Sequence, residues 1–361
     1  MSSFHRATVT DVEARGKGIC EASLEFEDGG TGRGLVLEQL VGEVSPGDLV
    51  VANTTAVDLG LGSGGYHFVL WNLANRSVDT HGSGHIMKLR YTPLQFNVEA
   101  AEESLGIEAD GFSKVLEGIP VVTGSLHSQL LAATLAYCDA RPDGRLVYVM
   151  TDGGALPAAF SDTIRFLRQR GSLASVITCG HAFGGDREAV TLHGALVAAR
   201  KLDRADAVIV LMGPGIVGTG STVGFTGMEQ GTAINAADSL GGRAIAIPRI
   251  TFGDARDRHS GLSHHTIAAL KYGACARSVI SLPEMDAERT ELVSGQIAEA
   301  GLAERHDVRV LDASRVLLLL DGCGFKTTVM GRSPDQEPEF FMAAGAAGIL
   351  AAQMGGDSSG V

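Results

Sequence analysis

The stretch that decides the fold is A-V-I-V-L-M (Ala207–Met212), followed by G-P-G-I-V-G-T-G-S-T-V-G-F-T (213–226) and G-M-E-Q-G (227–231). An unbroken apolar run of that length reads as a strand buried on both faces. The glycine-rich run reads as a long loop and the last segment as a helix start. Thr226 and Glu229 have the spacing of a capping box, which sets the predicted start of the helix near Gly227.

The same unit recurs on either side. Short apolar runs at 119–123, 146–150, 175–178, 244–247 and 278–282 alternate with stretches of helical spacing such as D-R-E-A-V-T-L-H-G-A-L-V-A-A-R-K-L. Strands buried on both faces and joined by helices predict an α/β fold, a doubly wound, mostly parallel sheet of about six strands in a three-layer αβα arrangement. Too few strand–helix units are present to close a (β/α) barrel. Residues 1–97 instead alternate with period two and carry turns such as D-G-G-T-G-R-G and S-P-G-D, which predicts a small N-terminal β-barrel-like domain. A second glycine-rich turn, L-G-L-G-S-G-G-Y (59–66), is either a tight barrel corner or a ligand-facing loop. The predicted division is 1–97 barrel, 98–353 Rossmann-like α/β domain and 354–361 flexible tail. Gly345 and Gly348 on the Ala-rich final helix predict close packing against the sheet or a second subunit, and a homo-oligomer is expected.

Composition narrows the partners. Over 361 residues, 29 basic and 42 acidic side chains give a net charge of −13, and no Lys/Arg stripe interrupts the acidic average. That field repels a phosphate backbone, so no nucleic acid is expected as a partner. No apolar run is long enough to cross a bilayer, and M-S-S-F-H-R-A-T-V-T-D lacks the apolar core of a signal peptide, so no membrane partner and a cytoplasmic location are expected. The five cysteines are scattered without a C-x-x-C pair, which predicts free thiols rather than a disulfide framework or zinc knuckle.

In an open α/β sheet, ligands bind beyond the carboxyl ends of the strands. That rule selects Ser125 and His127 after the first apolar run of the sheet, Asp152 and Gly153 after the second, and His181 after the third. After the fourth it selects Gly213, Gly215, Gly218, Thr219 and Gly220, whose N–H groups are candidates for holding an anion, against a purely structural Ω-loop. The most chemically loaded segment is 249–265. Arg249, Arg256 and Arg258 are predicted to grip an anion. His259 or His264, helped by Asp254, is predicted to move a proton, against a solvated loop tied by surface ion pairs. Ser263 reads as an N-cap, and adjacent His264 and His265 are expected to diverge so that at most one faces the cleft. His81 and His85 read as solvated loop histidines. His81 and His85 are four apart but have no third ligand nearby, and no H-x-x-x-H or H-E-x-x-H spacing supports convergence of His127, His181, Asp152, Asp254 and His259, so no metal site is predicted, and no cofactor is assigned.

N-T-T-A-V-D-L-G-L-G-S-G-G-Y-H-F-V, G-H-I-M-K-L-R-Y-T-P-L-Q, M-G-P-G-I-V-G-T-G-S-T-V-G-F-T-G-M-E-Q-G and P-R-I-T-F-G-D-A-R-D-R-H-S-G-L-S-H-H-T stand together in this chain. In these phrases it resembles, over nearly its full length, an uncharacterised bacterial family found largely in actinobacteria and related Gram-positive lineages. The resemblance implies no activity and transfers no catalytic residue. P-G-D-L-V-V-A-N-T-T separately resembles a barrel turn of the tRNA ribosyltransferase-isomerase of queuosine synthesis, over a length too short to imply that reaction. The residues themselves lead to an enzyme of group transfer or hydrolysis acting on a small anionic or phosphate-bearing metabolite. A non-catalytic small-molecule sensor and a structural assembly protein are the alternatives.

Overall fold

Alternation along the first strands decides which side chains turn inward. Ala7 and Val9 of β1 (Phe4–Gly16), Ala22 and Leu24 of β2 (Ile19–Phe26), and Val50 and Ala52 of β4 (Leu49–Asn53) are buried between exposed or half-buried neighbours. With β3 (Thr31–Leu37) and β5 (Tyr66–Asn72) they form a closed barrel in the order β1-β2-β3-β5-β4. Pairing is antiparallel except between β3 and β5. Closure removes every sheet edge, which lets so small a core stand. The turn at 59–66 is an exposed barrel corner leading into β5. All five cysteines are free, and burial, helped by Glu38 and Glu43, pushes the Cys20 thiol up to about 11.

The computed structural model describes residues 2–79, 82–105, 114–254 and 257–356. The chain divides into two units, Met1–Glu99 and Ala100–Val361. The readings of His81 and of the tail from residue 357 lie outside the described residues.

The second unit is built on eight parallel strands. In chain order these are β6 (Pro120–Thr123), β7 (Leu146–Thr151), β8 (Ser175–Cys179), β9 (Arg187–Ala189), β10 (Ala207–Met212), β11 (Arg243–Ala246), β12 (Val279–Pro283) and β13 (Asp307–Leu311). Their order across the sheet is β9-β8-β7-β10-β6-β11-β12-β13. Period-two alternation splits each inner strand between two apolar layers. Val122, Tyr148, Met150, Ile209 and Leu211 face a layer holding α1 (Leu130–Ala140), α2 (Asp162–Gln169), α7 (Arg315–Gly322) and α8 (Pro338–Gly356). Val121, Val147, Val149, Val208 and Val210 face a layer holding α3 (Leu192–Lys201), α4 (Glu229–Ser239) and α6 (Ala287–Glu299). Between β11 and β12 lies the short α5 (His264–Ala268). The sheet is thus doubly wound, with two strands more than expected. The additions are the edges: β9 is only three residues long, and β13 leaves Val308 and Val310 exposed, so neither carries the buried-run signature. Among the described residues no helix is long and apolar enough to cross a membrane.

Three close approaches need glycine. A methyl group at Gly348 would collide with the carbonyl of Ala133, and one at Gly345 with Val316, so the small face of α8 packs within the chain, on α1 and α7. At Gly231 a methyl group would collide with Gly273, where α4 meets the segment that follows α5. Replacing Gly348 by Ala is expected to cost about 1–3 kcal/mol through overpacking. Gly295, on the exposed face of α6 with open space around its missing Cβ, should gain about 1 kcal/mol on replacement by Ala. Urea unfolding of the two variants checks the opposite signs.

Candidate functional site

The chain leaves β6 toward β7 and leaves β11 toward β12, in opposite directions across the sheet, so the topological switch point lies between the carboxyl ends of β6 and β11. The floor there is sealed by the sequence itself. Gln230, on the first turn of α4 and 1% exposed, donates through Nε2 to Thr123 O at 3.0 Å and to Ile247 O at 2.9 Å, tying the two strand ends together. Ser125 lies in this sealed layer, fully buried, with its N–H held by Gln129 Oε1 at 3.0 Å. His127 is equally committed. Its Nε2 meets Ser161 Oγ at 2.7 Å and its Nδ1 meets Met212 O at 3.2 Å. His127 thus ties the strand ends together, and Ser125 is enclosed there with its Oγ lacking a hydrogen-bond partner among the described residues.

Burial pushes the pKa of His127 from 6.5 down to about 4. The folded ring stays neutral where an unfolded one charges, so stability is full above pH 6.5 and falls as pH drops toward 4. A shift of that size corresponds to about 3 kcal/mol. Urea midpoints measured from pH 7 to pH 4 should show this loss, and His127→Gln should flatten it.

Above the sealed floor, the 249–265 segment folds back on itself. Ile250 and Thr251 pair with Gly261 and Leu262, and a 3₁₀ turn, Asp257–His259, delivers His259 into the fold at 1% exposure. Ser263 caps α5 as expected, its Oγ accepting from His265 N at 3.3 Å. The same Oγ meets His259 Nδ1 at 2.7 Å. His264 Nδ1 donates to the Arg258 carbonyl, at 3.2 Å. The expectation that His264 and His265 diverge is overturned: their ring centroids are 4.2 Å apart, and His259 lies 4.6 Å from one and 5.0 Å from the other. The reason is that α5 begins at His264, where both rings still swing toward the incoming 3₁₀ turn. Phe225 fixes the cluster from the other side, stacked on His265 at 3.9 Å and 12°.

A buried ionic chain holds this arrangement. Arg249, 1% exposed, places Nη1 3.4 Å from His265 Nδ1 and Nη2 3.5 Å from Asp254 Oδ2. Asp254 also faces Arg332 at 3.6 Å, and Arg332 Nε donates to fully buried Glu337 at 2.6 Å. The other oxygen of Glu337 accepts from Phe252 N at 3.1 Å. Two cations and two anions alternate, which is the condition for keeping charges out of water. Arg249 and Asp254, expected to grip an anion and assist a histidine, are both engaged in this ionic chain. Arg256 lies outside the described residues. Arg258 is exposed and lines, with His264, Ile267, Gln296 and Glu299, a groove of about 400 Å³. Gln296 shapes its wall, accepting from Leu262 N at 2.7 Å and donating to Ser260 O at 2.9 Å.

Asp152, Gly153 and His181 lie elsewhere on the same edge, where Asp152 Oδ2 accepts from His181 N at 2.8 Å. The end of β7 is three strands from that of β11, about 14 Å at ordinary strand spacing. Glu229 is the residue that sequence reasoning missed here. Its Oε2 accepts from Thr151 Oγ1 at 2.5 Å, and burial, then the nearby Asp152 carboxylate, hold its pKa above the usual range against the Thr151 hydrogen bond. The capping-box reading spends Glu229 on its own helix. Instead Phe225 precedes a 3₁₀ turn (Thr226–Met228), α4 begins at Glu229, and no side chain caps the turn.

The glycine loop is a short hairpin. Thr219 N donates to Gly224 O at 2.8 Å, Thr226 N to Val217 O at 2.8 Å, Val217 N to Thr226 Oγ1 at 3.2 Å, and Gly224 N to Ser221 Oγ at 3.0 Å. Those N–H groups are spent inside the loop. Gly213 is buried against Ala155, whereas Gly215, Gly218, Thr219 and Gly220 are exposed on the projecting part. The hairpin's clearest contribution to the site is Phe225, delivered at its base. Arg332, Glu337 and Gln230 also escaped the sequence reading, since Arg332 meets Asp254 78 residues away, Glu337 meets Phe252 85 residues away and Gln230 meets Thr123 107 residues away.

No curated protein matches this chain. The pattern of the protein family of unknown function DUF3866 matches residues 33–348, from within β3 of the barrel through the whole parallel sheet and into α8. The chain belongs to that family.

Proposed function

We propose that this protein is an enzyme acting on a small anionic metabolite, by hydrolysis or group transfer, at the carboxyl edge of its parallel sheet. The observation that supports this reading is the three-imidazole cluster of His259, His264 and His265, braced by a buried ionic chain and edged by a groove that carries an exposed Arg258. Imidazoles serve proton transfer and ligation near neutral pH. A core needing only volume is filled at lower cost by leucine. Arg258 supplies the cation that an anionic substrate needs, and its planar fork suits phosphate or carboxylate. Asp152 and Glu229 mark a second polar position along the same edge. The test is a turnover assay of the purified protein on panels of phosphate monoesters, sugar phosphates, nucleotides and acyl thioesters. Wild type, Arg258→Ala and His264→Ala are compared. Turnover of one class, weakened by the first substitution and abolished by the second, supports the enzyme. Binding with no turnover, lost equally in both variants, supports a sensor.

A further inference from the structure

We infer that His259, His264 and His265 form a binding site for a divalent first-row transition-metal ion, Zn(II) foremost, with coordination positions left open toward the Arg258 groove. One ring nitrogen from each lies within 4.8 Å of the others. Nitrogens bound to one zinc at about 2.0–2.1 Å stand roughly 3.4 Å apart in a tetrahedral site. Side-chain rotation of about an ångström closes the difference.

The hydrogen bonds around the cluster favour ligation. A carbonyl only accepts, so His264 Nδ1, which meets Arg258 O at 3.2 Å, carries the proton and the neutral ring presents Nε2 as a lone pair. Ser263 Oγ sits 2.7 Å from His259 Nδ1 and is placed to accept a hydrogen bond from that nitrogen in the same way. Ligating histidines are characteristically oriented through the second ring nitrogen in this manner. His265 is oriented by its stack on Phe225. Its contact with Arg249, at 3.4 Å the longest of these, must open when the ion binds: Nδ1 cannot accept from the guanidinium once its lone pair binds the metal, nor once it carries the proton that leaves Nε2 as the ligand. Asp254, 3.5 Å from the same guanidinium, holds Arg249 after that contact opens.

The donor set names the ion class. Among the described residues the donor set is three imidazoles without a carboxylate or thiolate, which suits Zn, Co, Ni or Cu over Mg or Ca. Three protein ligands also leave a fourth position, the arrangement of catalytic rather than structural zinc. His264 borders the groove, so the open side faces Arg258. Spacing rules miss the site because they look for ligands on successive turns of one helix, whereas here one ligand comes from a 3₁₀ turn and two from the first positions of a helix.

That the ion belongs to a reacting centre rests on the function proposed above; that it binds does not. The full-length, tag-free protein is stripped with chelator and titrated with Co(II), followed by visible d–d absorption, and with Zn(II), followed by calorimetry. One equivalent should bind, with a four- or five-coordinate cobalt spectrum, and Mg(II) should not compete. His264→Ala and His265→Ala should remove that binding while circular dichroism and unfolding midpoint show a folded chain, and Ser263→Ala should weaken it tenfold to a hundredfold. Absence of stoichiometric binding, or binding unchanged in folded His264→Ala and His265→Ala, overturns the inference. Turnover is not read here, so failure of the enzyme reading would appear separately, as a metal-loaded protein inert toward every substrate class.

Discussion

Asp254→Ala should destabilise the α/β unit by about 3–5 kcal/mol, the cost of breaking a buried ion pair from one side. The Asp254 side chain is 4% exposed and stands between Arg249, 1% exposed, and Arg332. Removing it leaves the Arg249 guanidinium without the carboxylate that lets it stay out of water. Asp254→Asn should recover part of the loss by keeping the shape. Urea unfolding reads the effect directly. A stability change below about 1 kcal/mol, the range of surface pairs, would show that the ionic chain does not brace the site. Loss of activity at unchanged stability would return Asp254 to the proton-transfer role that the sequence suggests.

His264→Ala has the largest expected effect on activity. The ring is half-buried, adjoins two other imidazoles and borders the groove, so its loss empties the centre while leaving the apolar layers intact. Removing a group that transfers a proton or holds a reacting ion should lower kcat by about 10²–10⁴-fold. The unfolding midpoint should move little. Arg258→Ala should instead raise KM and spare kcat, because an exposed cation at the mouth of a groove binds ground and transition states alike. Equal falls in kcat for both variants would contradict this division of labour.

Much of the architecture was legible because burial on two faces imposes an unbroken apolar run, and β6, β7, β8, β10, β11 and β12 each carry one. The edge strands did not, since Arg187–Ala189 and Asp307–Leu311 bury too little to impose it. The loaded 249–265 segment was legible by composition, but its inner logic was not. Which charges face solvent depends on partners from the loop before α8, Arg332 and Glu337, that no local pattern announces. Arg249 therefore read as a ligand grip, although it is among the most buried side chains in the molecule. Glu229 failed for the opposite reason. A local motif offered a sufficient use for it, and the neighbouring strand end took it instead.

The most direct test of the central claim is long-range ¹H–¹⁵N NMR of the histidine rings, recorded while a ligand that raises the Tm is added. Binding at the sheet edge predicts that the His259, His264 and His265 resonances shift together, with His127 and His306, both held in internal hydrogen bonds, unmoved. Shifts confined to His5 and His67, which line a separate groove on the barrel, would place the ligand there and contradict the account.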